Sequence, residues 1–383
     1  MKILETITGQ PQVVSVLEGA ILASRMSEDS SQKMTHSWLF TGPPGSGKTI
    51  LARTFAAGLL CPNNGCGVCI DCQSAMNGSH LDIEVFKTEA LSIKVEEIRE
   101  LIMRSSFTPS IGSWRIIVIL DIQRLTETAA NALLKAIEEP ISRTIWLMSA
   151  PALLGISPTL RSRCRLIQLA TPTKDSIIEL LTKGENADFQ IAEYAARASQ
   201  GDIGRAKYLF ENSAARSRRK SIIDLVLTLR DISRSFEVAS KLLDFAHQDA
   251  EETTQIENNQ ELTSLRAALQ STSKISISGG SKLIRDLERD QKYRLNRAIR
   301  DSLDRSILDI LSIYRDALLI QMGSVSQIVN IEHFSQTSDF CSRLKSESIV
   351  GYIENILLFR ENLAQNASYL LAMENLLCAL SRP

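Results

Sequence analysis

Eight consecutive residues, Gly42, Pro43, Pro44, Gly45, Ser46, Gly47, Lys48 and Thr49, have the types and spacing of a loop that cradles phosphate. Glycines let backbone N–H groups turn inward, and a helix opening at Lys48 would add the positive end of its dipole. In such loops the lysine reaches the β and γ phosphates, and the Thr hydroxyl reaches Mg2+. The predicted ligand is therefore ATP or ADP with Mg2+, held through Lys48 and Thr49.

Turnover asks for more. A hydrolytic site of this kind normally follows its second buried strand with two acids, one for the magnesium shell and one to polarise water. Here the aliphatic run Ile116 to Leu120 ends in a single acid, Asp121, flanked by Leu120 and Ile122. Whether Asp121 takes the metal slot, with Ile122 after it, or the water-polarising slot, with Leu120 before it, two adjacent carboxylates are missing. The rival view is that Glu127 or Glu138 substitutes from a helix. Losing one positioned charge costs orders of magnitude in rate. The expectation is a loop that binds nucleotide and hydrolyses little of it.

Cys61, Cys66, Cys69 and Cys72 follow the spacing C-x4-C-x2-C-x2-C. Four thiolates so close in sequence can close a tetrahedral Zn2+ site, with no position left open for water, so the site would be structural. An iron–sulfur cluster would use the same ligands, but nothing around them suggests redox chemistry. The remaining cysteines, Cys164, Cys341 and Cys378, are scattered, which suits a reducing cytoplasm better than a disulfide framework.

The elements that must position these groups follow from periodicity. Apolar runs at 37–42, 82–87, 114–120, 144–150 and 165–170 read as buried parallel strands, with helices over 48–60 and 126–139 between them. A helix after a proline turn covers 171–183, and two more fall within 187–211. From about 213 only helical periodicity remains, with Leu295, Ile299, Leu303, Ile307, Ile310, Leu311, Tyr314 and Leu318 on one stripe. The acidic stretch 244–262 reads as a solvated helix edge, and the Ser/Gly-rich 271–281 as a mobile loop. The domains expected are an α/β nucleotide-binding domain (1–170, with the cysteine module at 61–72), a small helical lid (171–212) and an all-α collar (213–383).

With 383 residues, 44% hydrophobic content and net charge −1, the chain is long enough for two or three domains and lacks a basic footprint of its own. Any nucleic-acid contact must be local or delegated. No apolar run reaches the roughly 20 residues of a membrane span, and the N-terminus lacks a secretory core. The expected location is the cytoplasm.

"HSWLFTGPPGSGKT", the four-cysteine insertion, "RLTETAANALLKAIEEP" and "SPTLRSRCR" occur in that order, and together they resemble the clamp-loader branch of the AAA+ ATPases. The resemblance spans about residues 3 to 210. It implies a five-subunit ring with tau/gamma-like and delta-like partner subunits, a sliding clamp and primed DNA. It also implies that Arg163, in Ser162-Arg163-Cys164, is an arginine finger that reaches a neighbour's ATP in trans. A solvated edge formed by Arg161, Arg163 and Arg165 is the alternative reading of those residues. Departures from the family pattern are Ala150 at a usually polar position after the fourth strand, and Gly204 where an ATP-sensing arginine is expected, with Arg205 one step late. An active motor subunit of the same loader, and a zinc protein that binds nucleic acid, are the rival readings. The cysteine segment, which holds no Lys, Arg or aromatic residue, argues against the second.

Overall fold

The computed structural model describes residues 1–25, 34–88, 90, 92–183, 187–229, 231–271, 277–363 and 368–381. They fall into two compact units, Met1–Phe210 and Glu211–Pro383. Among the described residues no helix is long and apolar enough to cross a membrane.

The first unit is built on five parallel strands: β1 (Ser37–Thr41), β2 (Ile83–Phe86), β3 (Arg115–Ile119), β4 (Thr144–Ala150) and β5 (Arg165–Gln168), in the order β2-β3-β4-β1-β5. All five predicted strands form, each trimmed by no more than two residues at an end. Their side chains alternate between two cores. Trp38, Phe40, Ile145 and Leu147 join one, while Leu39, Trp146 and Met148 join the other. That alternation is the period-two geometry of a strand covered on both faces, and it explains why the runs read as continuously apolar. Around the sheet run α1 (Pro11–Ala23), α2 (Lys48–Leu60), α3 (Ile70–Asn77), α4 (Val95–Ser105), α5 (Glu127–Glu138) and α6 (Pro158–Ser162), followed by α7 (Lys174–Leu181), α8 (Phe189–Ser199) and α9 (Ile203–Glu211). Side chains cap several of these helices. Thr126 accepts from Ala129 N–H, Thr173 from Ser176 N–H, and Asp188 from Gln190 and Ile191 N–H.

The second unit is helical: α10 (Ser213–Leu227), α11 (Ile232–Ser271), α12 (Ile277–Gln321), α13 (Phe334–Cys341), α14 (Ser346–Leu363) and α15 (Tyr369–Leu380). The stripe on α12 is its core face, with Ile299, Leu303, Ile307, Ile310 and Tyr314 all buried. Two expectations need correction. The acidic stretch is not simply a solvated edge, because α11 and α12 pair across it in antiparallel order. Asp249 is buried and accepts from Arg218 (3.0 Å), Ser302 (2.8 Å) and Arg305 (2.7 Å), while Glu261 pairs with Arg294 (2.9 Å). Several of the acids therefore balance arginines on neighbouring helices. Of the expected loop 271–281, Ser271 ends α11 and residues 277–281 open α12, while 272–276 lie outside the described residues.

Candidate functional site

The phosphate loop joins β1 to α2. Gly45 and Gly47 take left-handed φ values of +73° and +89°, which glycine adopts without strain. Lys48 then starts the helix and turns back, its Nζ donating to the carbonyls of Gly42 (2.6 Å) and Pro43 (2.7 Å). Burial pulls the Lys48 pKa below the ordinary 10.5, and the carboxylates of Asp121 and Asp202 partly offset that. Lysine and acids from three separate segments thus share one electrostatic site.

Beside the loop lies a cavity of about 510 Å³, lined among others by Ile7, Thr8, Ser46, Gly47, Leu180 and Ile203. Its size is that of an ordinary ligand pocket, roughly 300–1,000 Å³. The Thr8 and Ser46 hydroxyls are both buried without a hydrogen-bond partner. Unpaired buried hydroxyls in a largely apolar pocket next to a phosphate cradle fit a nucleotide's polar edge. Sequence reasoning missed Ile7 and Thr8, which carry no motif and reach the loop only through the fold.

The lone acid is where the sequence put it. Asp121 follows β3 in the left-handed region (φ 58°, ψ 49°), with Arg124 Nη2 at 3.9 Å. Ile122, which takes the slot of a water-polarising acid if Asp121 stands in the magnesium shell, is 2% exposed and belongs to the core. Ala150, at the end of β4, is also fully buried. Arg205 is buried at the start of α9, and Gly204 offers no side chain there.

At the far end of α2, Cys61, Cys66, Cys69 and Cys72 bring their sulfurs within 4.8 Å of one another. Two separations, Cys61 to Cys66 and Cys61 to Cys69, are 3.6 Å. A tetrahedron of roughly 2.3 Å zinc–sulfur bonds has edges of about 3.8 Å, so the donor set fits that ion. Left-handed turns at Asn64, Gly65 and Gly67 fold the segment back. The Cys66 N–H donates to Cys61 Sγ (3.3 Å) and the Cys69 N–H to Cys66 Sγ (3.3 Å), as thiolate ligands favour. Backbone N–H groups of Val68 and Cys69 pull the Cys66 pKa down to about 6, while burial pushes Cys69 and Cys72 up. The knuckle is anchored to the N-terminal turn by Ile3 N–H donating to Gly65 C=O (3.0 Å).

Arg163 directly follows α6 as its C-cap, its side chain 39% exposed. Its Nε donates to Glu138 Oε1, and its Nη1 donates to Thr159 C=O (3.0 Å) and Ser162 Oγ (3.4 Å). The Ser37 hydroxyl holds the Arg163 carbonyl (2.7 Å), tying the turn to β1. Arg165 differs from its neighbour. It lies 4.9 Å above the Trp38 ring, so the three arginines do not form one uniform solvated edge.

A parallel sheet in this order, a glycine loop between β1 and α2, an acid after β3 and a helical module behind the loop define a P-loop protein of the AAA+ class. Residues 19–173 match the family described as "DNA polymerase III, delta subunit". The chain is 35% identical over 143 residues to DNA polymerase III subunit delta' of Pseudomonas aeruginosa, covering 36% of this chain and 43% of that protein. It is 28% identical over 251 residues to DNA polymerase III subunit tau/gamma of Haemophilus influenzae, covering 62% of this chain and 35% of the relative. A crystal structure of a DNA polymerase III gamma-subunit-related protein from Thermotoga maritima aligns over 95% of this chain and 98% of its own, at 14% identity and TM-score 0.45. Residues 19–173 are thus similar to DNA polymerase III subunits of the delta' and tau/gamma kinds. It spans less than half the length of the two curated relatives just named.

Proposed function

We propose that the protein is a delta-prime-like stator of a DNA polymerase III clamp loader. In this reading it takes a place in a five-subunit ring with tau/gamma-like and delta-like partners, and the assembly places a sliding clamp on primed DNA from the cytoplasm. Residues 1–170 carry the nucleotide site, 171–212 act as its lid, and 213–383 form the collar.

The observation that carries this reading is an intact loop beside a broken acid pair, with core-packed Ile122 where a second carboxylate would stand. ATP or ADP with Mg2+ would rest on the Gly42–Thr49 loop, with Lys48 toward the phosphates and Thr49 toward the metal. The nucleotide supplies binding energy and ring closure. Asp121 alone lacks a partner to orient water, so the chain's own turnover stays low. Zn2+ held by Cys61, Cys66, Cys69 and Cys72 braces the protrusion after α2 and does no chemistry. Arg163 is offered to the neighbouring subunit, where a guanidinium spreads charge over phosphate oxygens as a lysine cannot.

The motor reading, a tau/gamma-like ATPase, is favoured by the tau/gamma relative and opposed by the same lone acid. One comparison separates the two. In the reconstituted loader, Arg163→Ala is expected to lower ATP hydrolysis, with a loss of about 10³ or more at the single site it completes. Lys48→Ala should have the smaller effect on the assembly. A crippled loader with Lys48→Ala and an unaffected one with Arg163→Ala would overturn the stator reading.

A further inference from the structure

Asp202, in the turn between α8 and α9, packs directly on the phosphate loop. A Cβ added at Gly45 would lie 2.0 Å from Asp202 Cγ, 2.2 Å from Oδ1 and 2.3 Å from Oδ2. The whole carboxylate therefore faces the α-carbon of a loop glycine. The contact is fastened by Ile203 N–H, which donates to Gly45 C=O (3.0 Å). Beneath the neighbouring Gly47, Ile203 Cδ1 would be 3.6 Å from an added Cβ. The turn that opens α9 is thus docked on the phosphate cradle by a hydrogen bond and an acid, with Ile203 lining the same cavity as Gly47.

Part of this has a local explanation. Asp202 Oδ1 accepts from Arg205 N–H (2.8 Å), a helix-capping bond that favours Asp, Asn and Ser alike. Capping and the positive end of the α9 dipole account for an acid at the start of the helix, but not for its placement against a loop whose backbone and lysine are arranged for anions. Lys48 feels the negative charges of both Asp121 and Asp202.

We propose that Asp202 is an electrostatic gate on the phosphate loop, a built-in anion that nucleotide phosphates must displace or tolerate. The gate rests on the reading of Gly42–Thr49 as a nucleotide site and sets that site's affinity. Because the α8–α9 turn carries the carboxylate, phosphate binding and the seating of that turn on the loop oppose each other. Repulsion between like charges at close range grows with the charge brought in. Free triphosphate is therefore excluded most, and Mg2+, which offsets phosphate charge, restores part of the affinity.

The test is equilibrium binding of ATP and ADP, each with and without Mg2+, to the full chain, Asp202→Asn and Lys48→Ala. Asparagine keeps the cap and removes only the charge, and a thermal melt confirms that the variant is folded. Asp202→Asn should bind ATP without Mg2+ at least tenfold more tightly, equivalent to about 1.4 kcal/mol, with a smaller gain for Mg2+–ADP. Lys48→Ala should bind more weakly than the parent chain. Equal nucleotide binding by the parent and Asp202→Asn overturns the gate and leaves the nucleotide site standing. Weaker binding by Asp202→Asn only when Mg2+ is present also overturns it, and makes Asp202 a magnesium-shell group instead. Binding by neither chain overturns the nucleotide reading and the gate together.

Discussion

The two ends of α2 carry two sites built on opposite plans. Its 13 residues span about 20 Å. At the C-terminal end, four cysteines from one short segment face each other, and their sulfurs are held by neighbouring backbone N–H groups. At the N-terminal end, the phosphate loop gains its acids from Asp121 after β3 and Asp202 before α9. The knuckle is complete in its own sequence, whereas the loop takes its character from groups that only the fold brings near. A site closed on itself can be lost without harming the other, and a site assembled from afar can be tuned by a single distant residue.

The largest expected effect attacks the knuckle. Cys69→Ser should abolish binding of one Zn2+ per chain and lower stability by about 3–5 kcal/mol, because ligand binding and local folding are one event in such sites. Cys61 and Cys72 belong to the core with Phe55 and Leu59 of α2, so the damage should reach the C-terminal half of that helix. Nucleotide affinity at the other end should change less than threefold. Elemental analysis, a thermal melt and nucleotide titration of the same preparation decide it. A variant that keeps its metal, or loses nucleotide binding outright while still folded, breaks the separation between the two ends.

That contrast also explains what could be read from the sequence. The five strands, α2 and the cysteine cluster are local patterns, and each formed within a residue or two of its expected place. Asp121 was legible because a strand ends at it. Asp202 and Thr8 were not, because nothing in "GDIGRA" or "ETITGQ" marks them as neighbours of Gly45 or of the cavity beside it. The acidic stretch of α11 misled for a related reason. Asp249 looks like any exposed acid until α10 and α12 supply Arg218 and Arg305. Charge in sequence says little about burial when its partner lies on another helix.

An intermediate effect tests the loop through pH. Burial, the largest influence on Lys48, lowers its pKa from 10.5, with Asp121 and Asp202 working against the shift. Only the ammonium form attracts phosphate, so affinity should be full at neutral pH and fall as pH rises. The fall should begin below the pH at which an ordinary lysine titrates. Bound phosphate raises the same pKa, which makes the titration midpoint of the complex higher than that of the free chain. Nucleotide titrations between neutral pH and pH 10 check this, with Lys48→Ala as the control that should lose the pH dependence. A pH-independent affinity for the parent chain would remove Lys48 from the phosphate site.

The smallest effect is expected at Glu138, and it bears on whether any other acid completes the loop's chemistry. Glu138 and Arg163 are 44% and 39% exposed, and an ion pair so open to water contributes at most about 1 kcal/mol. Glu138→Gln should therefore shift stability by less than that, leaving Arg163 its bonds to Thr159 and Ser162. If Glu138 stood in for the missing water-polarising acid, the same substitution would lower the isolated chain's own ATP turnover by orders of magnitude. Its partner here is Arg163, so the isolated chain's slow hydrolysis should stay unchanged while Arg163 becomes freer to leave its position. A phosphate-release assay on the isolated chain gives one answer, and the loader's turnover with Glu138→Gln gives the other. A large drop in the first would return catalytic competence to this loop and erase the difference between a cradle that binds and one that hydrolyses.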